Sequence, residues 1–77
     1  MKREVVIGER AMTLTSMFPA IVSEENGEGR NCRTVFADQD GVLWCKWHGE
    51  YRNVRKTDGL KLPKGKRARE SYVVVDG

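Results

Sequence analysis

The side chains able to do covalent or metal chemistry are few, and their spacing works against it. Cys32, Cys45 and His48 offer three possible metal ligands, and Asp38 or Asp40 could add a fourth. Structural zinc sites show paired short spacings such as C-x2-C, and this sequence has none. Cys45 and His48 stand three residues apart, so on one continuous strand they point to opposite faces. A base on the far face cannot reach a thiol nucleophile. Both cysteines read as small buried hydrophobes in the reduced state, because two cysteines make no disulfide framework. Asp38 and Asp40 form a carboxylate pair on paper, but turn chemistry accounts for both. Asn26-Gly27-Glu28-Gly29 is acidic and opens no helix, unlike a glycine loop that cradles phosphate. The expectation is a binding module with no catalytic centre, metal or cofactor.

Binding chemistry is better represented. Residues 50–71 carry Arg52, Arg55, Lys56, Lys61, Lys64, Lys66, Arg67 and Arg69 against Glu50, Asp58 and Glu70, a net charge of +5. Residues 1–29 carry Lys2, Arg3 and Arg10 against Glu4, Glu9, Glu24, Glu25 and Glu28, a net of −2. The overall charge of +3 therefore conceals an acidic N-terminal part and a basic C-terminal part. A cationic stretch of this density meets the potential of a phosphate backbone. It also suits a plain solvated surface, and the two readings weigh about equally for the cations. Aromatic side chains near such a stretch can stack unpaired bases. Trp44 is the first candidate and Tyr51 the second, with Arg33, Lys46, Arg52, Arg55, Lys56, Lys64, Lys66, Arg67 and Arg69 as the cations around them. For Trp44 a core role, covering a second small core under the C-terminal strand, weighs slightly more.

Strand signals must position these groups. Arg33-Thr34-Val35-Phe36-Ala37 and Val42-Leu43-Trp44-Cys45-Lys46-Trp47 flank Asp38-Gln39-Asp40-Gly41, a hairpin signature. Alternation places Phe36, Leu43, Cys45 and Trp47 on an inward face with Thr34 and Cys32. It places Arg33, Val35, Ala37, Trp44, Lys46 and His48 on the other. Upstream, Arg10 to Ser16 alternates with Met12 and Leu14 inward, and the pattern slips at Met17-Phe18-Pro19, where a bulge or bend is expected. Residues 24–31 read as a polar turn. Residues 49–57 fit a short helix ending at Asp58-Gly59, and equally a further strand. Tyr72-Val73-Val74-Val75 closes the chain as a strand buried on both faces.

The order of these pieces resembles an OB-fold, the small barrel that commonly binds oligonucleotides, and its motifs are shared with SH3-like barrels. The resemblance lies in a long bent first strand from about Arg10 to Val22 and in the Phe36 to Trp44 hairpin core. It continues through a short connection and Leu62-Pro63-Lys64-Gly65-Lys66-Arg67 leading into a valine-rich strand. It implies a mainly β, small antiparallel barrel, with one short helix near residues 50–57 as an option. Val5-Val6-Ile7 is the candidate for a missing fifth strand.

With 77 residues the chain forms one domain with a thin core and no room for an enclosed dry pocket. No apolar run reaches the roughly 18 residues of a membrane span. Val5 to Ile7 is also far short of a secretory h-region, so the expected location is the cytoplasm. Two functional classes remain. One is a module for single-stranded DNA or RNA with little sequence preference. The other is an accessory or inhibitor protein, of the small phage type, that docks on an acidic surface of a larger protein such as a nucleic-acid enzyme.

Overall fold

A computed structural model describes residues 1–57 and 71–75. Every regular element among them is a strand: β1 (Lys2–Ile7), β2 (Arg10–Ser23), β3 (Asn31–Ala37), β4 (Leu43–Trp47), β5 (Glu50–Thr57) and β6 (Ser71–Val75). Strands β2 to β6 pair in consecutive order, and a parallel β2–β6 ladder from Ile21–Ser71 to Ser23–Val73 closes them into a five-stranded barrel. β1 is an additional strand paired with β2 from Lys2–Thr15 to Ile7–Arg10. The result is a small closed barrel of the OB-like or SH3-like kind, connected as a meander. The fifth barrel strand comes from residues 50–57, while Val5-Val6-Ile7 lies in the extra strand.

Residues 50–57 form no helix. His48 and Gly49 both take positive φ, 48° and 83°. Two consecutive left-handed residues make the tight hairpin turn whose twist matches paired strands. Trp47 and Glu50 face each other across it, and Tyr51, Arg52 and Asn53 continue the ladder opposite Lys46, Cys45 and Trp44. The turn therefore delivers β5 straight back onto β4. The helical option fails because main-chain pairing runs the length of the segment, with β4 over residues 50–53 and with β6 over residues 53–57, whereas a lone helix this short is marginal in water.

The β3–β4 loop sets the faces, and it is one residue shorter than the sequence pattern implies. The Asp38 amide donates to the Val42 carbonyl at 3.0 Å, which leaves three loop residues, with Gly41 left-handed at φ 82°. Phe36 consequently pairs with Trp44 and Ala37 with Leu43. A one-residue change of register moves one strand's whole side-chain set to the other face. Phe36, Thr34 and Cys32 thus leave the face of Leu43, Cys45 and Trp47 and join that of Trp44 and Lys46, while Val35 goes inside. Cys32 is exposed and Val35 has no solvent contact.

Two apolar clusters result. The barrel interior holds Ala20, Val22, Val35, Cys45, Trp47, Val54, Tyr72 and Val74, with Phe18 and Leu43 against them. The second cluster, Met12, Leu14 and Trp44 with Val5, Ile7, Phe36 and Tyr51, lies between the β1–β2 hairpin and the outer face of β3–β4–β5. One bulge makes both possible. Ser16 pairs with Phe36 and Phe18 with Val35, so the register shifts at Met17. Even-numbered residues of β2 therefore face the second cluster before the bulge and the barrel interior after it. Tyr72, Val73 and Val74 of β6 are all buried, as its unbroken apolar run implies.

Candidate functional site

The outer face of β3–β4–β5 places aromatic and cationic side chains together. Phe36 comes from β3, Lys46 from β4 and Tyr51 from β5, and the β1 strand lays Arg3 across them. The Arg3 guanidinium carbon stands 5.3 Å from the Phe36 ring centroid, and its Nη1 donates to the Tyr51 hydroxyl at 2.9 Å. Phe36 and Tyr51 meet edge to face at 6.1 Å, and the Lys46 ammonium lies 5.9 Å from the Tyr51 ring. Beside this array a groove of about 290 Å³ opens, lined by Arg3, Cys32, Arg33, Thr34, Phe36 and Lys46. The β3–β4 ladder covers only Phe36–Trp44 and Ala37–Leu43, and the two strands run on to either side of this opening without one. Among the described residues, three cations and no carboxylate line it. Two other concavities, one beside Glu24 and Glu25 and one beside Glu4, carry acids in their walls.

Of the aromatic candidates, Tyr51 sits half-buried at the groove's side, whereas Trp44 does not reach it. Trp44 is 9 % exposed and packs with Met12 and Leu14. Its Nε1 donates to Asp38 Oδ2 at 3.0 Å. No ring face is left for a base, so Trp44 is a core residue, with its small core under the N-terminal hairpin instead of the C-terminal strand. Asp38 is equally committed. One carboxylate oxygen accepts from the Asp40 and Val42 amides at 2.8 and 2.9 Å, and the other holds Trp44. Burial pushes this carboxyl up, but those three bonds and the Arg10 guanidinium outweigh it and hold it below 3.8.

The cations divide. Lys46 and Arg33 line the groove. Arg33 pairs with the inward Ala20, and its guanidinium carbon stands 5.4 Å from the Trp47 ring centroid. Arg52 and Arg55 of β5 instead meet the acidic turn: Arg52 lies 4.0 Å from Glu24, and Arg55 lies 4.0 Å from Glu25. Lys56 is exposed on β5 opposite Tyr72. Lys64, Lys66, Arg67 and Arg69 lie outside the described residues. The acidic and basic segments of the sequence are thus partly folded onto each other, so β5 is not a bare cationic edge.

Comparison with protein families, with curated proteins and with solved structures gives no match to this chain.

The groove therefore stands on its own geometry. Two of its central residues, Arg3 and Phe36, are absent from the candidates read in the sequence. A four-residue loop puts Phe36 on the core face, and Arg3 belongs to a strand whose placement the sequence pattern leaves open. The signal for Phe36 was Asp38 itself. An Asp opening a loop that closes on a left-handed Gly41 favours three loop residues, and that length turns Phe36 outward. Among the described residues no cluster of three His, Cys, Asp or Glu could hold a metal, and no helix is long and apolar enough to cross a membrane.

Proposed function

We propose that this domain binds single-stranded nucleic acid, DNA or RNA, in the groove beside Phe36 and Tyr51. The supporting observation is the aromatic pair with Arg3, Arg33 and Lys46 around it and, among the described residues, no acid in the groove wall. Unpaired bases stack on aromatic rings whatever their identity, at about 1–3 kcal/mol per base, while cations track the phosphates. Stacking and phosphate contacts carry little sequence information, so sequence preference is low. In this reading Arg3 swings from the Phe36 ring to a phosphate when a base takes its place.

The test is equilibrium binding of a fluorescent single-stranded oligonucleotide at about 50 mM salt, where electrostatic attraction is strong. Tyr51→Leu keeps an apolar side chain on the second cluster but removes the ring. It should weaken binding roughly five- to hundred-fold with an unchanged melting temperature profile in shape. Equal affinity for the variant and the wild type would remove the groove from the account.

A protein partner is the second reading, as for an accessory or inhibitor protein. It is favoured by β1, which pairs only with β2 among the described strands and exposes Val6. An added strand would gain main-chain bonds along that edge. Co-purification of a stoichiometric protein that survives nuclease treatment would favour it over the groove.

A further inference from the structure

The mouth of the barrel, at the ends of β2 and β4, has its own anion chemistry. Glu24 Oε1 accepts from the Trp47 indole Nε1 at 2.9 Å and lies 4.0 Å from an Arg52 nitrogen. Arg33 stands over the same indole ring, and Arg55 lies 4.0 Å from Glu25. The indole N–H and Arg52 thus meet at one carboxylate, with Arg33 over the same indole and Arg55 paired with the neighbouring Glu25. The Glu24–Arg52 ion pair is long and the Glu24 side chain is 41 % exposed, so the indole bond at 2.9 Å is its main hold. The carboxylate can leave without undoing its turn. That turn is closed by its own bonds, from the Glu24 amide to the Glu28 carbonyl, the Gly27 amide to the Glu24 carbonyl and the Glu28 amide to Asn26 Oδ1. Beside it a recess of about 560 Å³ is lined by Glu24, Glu25, Asn26, Arg52, Val74 and Val75.

We infer that this mouth is a phosphate-binding site, occupied by Glu24 in the ligand's place, and that it takes the terminal phosphate of a strand lying in the groove. The inference depends on the single-strand reading, because Arg33 is the link: it lines the groove and also stacks on Trp47. A phosphate monoester carries about −1.5 to −2 charge and three acceptor oxygens, against one charge on Glu24. It can take the indole N–H and the Arg52 guanidinium together, in charge-assisted bonds stronger than a 4.0 Å ion pair. A terminal group fits better than an internal phosphodiester. An internal one would oblige the strand to run on past Glu24, Glu25 and Glu28, against like charge.

The test compares a short oligothymidylate carrying a 5′-phosphate, one carrying a 3′-phosphate and one carrying neither, with thymidine monophosphate as the isolated group. Binding is followed by fluorescence anisotropy and by the ¹⁵N–¹H resonance of the Trp47 indole. One phosphorylated strand should bind about tenfold more tightly than the bare strand, which corresponds to one well-made charge-assisted bond, and should shift the Trp47 resonance. Glu24→Gln should strengthen binding of that strand and leave the bare strand unchanged. Arg52→Gln should abolish the preference for phosphate and preserve groove binding. Equal binding of all three strands with an unmoved Trp47 resonance would overturn the mouth site and leave the groove standing. If no strand binds at all, the groove reading falls, and the terminal-phosphate inference with it.

Discussion

Asp38 holds the β3–β4 turn through one carboxylate, which takes the amides of Asp40 and Val42 and the indole N–H of Trp44. Removing it by Asp38→Ala strands three donors, one of them in a buried side chain, and should destabilise the domain by about 2–3 kcal/mol in urea unfolding. Its carboxyl ionises below 3.8 in the folded chain. The unfolded chain therefore binds a proton more readily in that range. The contribution of Asp38 is complete above about 3.8 and is lost as pH falls through the folded value. Wild type should lose stability on acidification in that window, and Asp38→Ala should lose less. Cys45 titrates the opposite way. Burial pushes its thiol from 9.0 to about 11, against the pull of Arg33 and Arg52. Between those values the unfolded thiol ionises first, so stability should fall as pH rises from about 9 to 11, and Cys45→Ala should flatten that decline in an alkaline urea series. At neutral pH a thiol reagent should modify exposed Cys32 at once and Cys45 only on unfolding.

At the scale of elements, short turns decide which side chains share a face. His48-Gly49 forces β5 back onto β4, and Gly49→Ala places a Cβ at φ 83°, which should cost about 1–2 kcal/mol, readable as a lower urea midpoint with an unchanged slope. Deleting Met17 should be worse. Without the bulge, Met12 and Leu14 would rotate away from Trp44, and the β1–β2 hairpin should lose its amide protection in hydrogen exchange before the barrel does. These turns also mark what the sequence could and could not reveal. The Phe36–Trp47 hairpin, the irregularity at Met17 to Pro19, the inward Met12 and Leu14 and the buried β6 are all legible from alternation and from glycine and proline chemistry. The faces of β3 against β4 were not, because Asp38-Gln39-Asp40-Gly41 serves a three- or a four-residue loop, and one residue inverts the outcome. Strand β5 was ambiguous because Tyr51 and Val54 satisfy helical spacing, while on a strand they face opposite ways, Tyr51 into the second cluster and Val54 into the barrel interior. Site residues followed suit: Lys46 and Arg33 line the groove, Tyr51 sits beside it, Trp44 goes to the core, and Arg3 arrives from a hairpin whose docking no local pattern specifies.

For the whole molecule, the uneven charge of the sequence becomes a folded arrangement. The acidic turn meets Arg52 and Arg55, which leaves Arg3, Arg33 and Lys46 beside Phe36 and Tyr51 as a cationic groove. A single strand that contacts these three cations should show an affinity falling with salt at a slope of about −2 on logarithmic axes, from about −0.7 per neutralised phosphate. The most direct measurement is that slope, taken by anisotropy with an unphosphorylated oligothymidylate for the wild type and for the double variant Arg3→Gln, Lys46→Gln. Both positions are exposed, so the fold should tolerate the change. If the groove is the site, the wild type binds at low salt and the variant's slope is shallower by more than about one unit. Parallel slopes for the two proteins, or no binding by the wild type at about 50 mM salt, would contradict it.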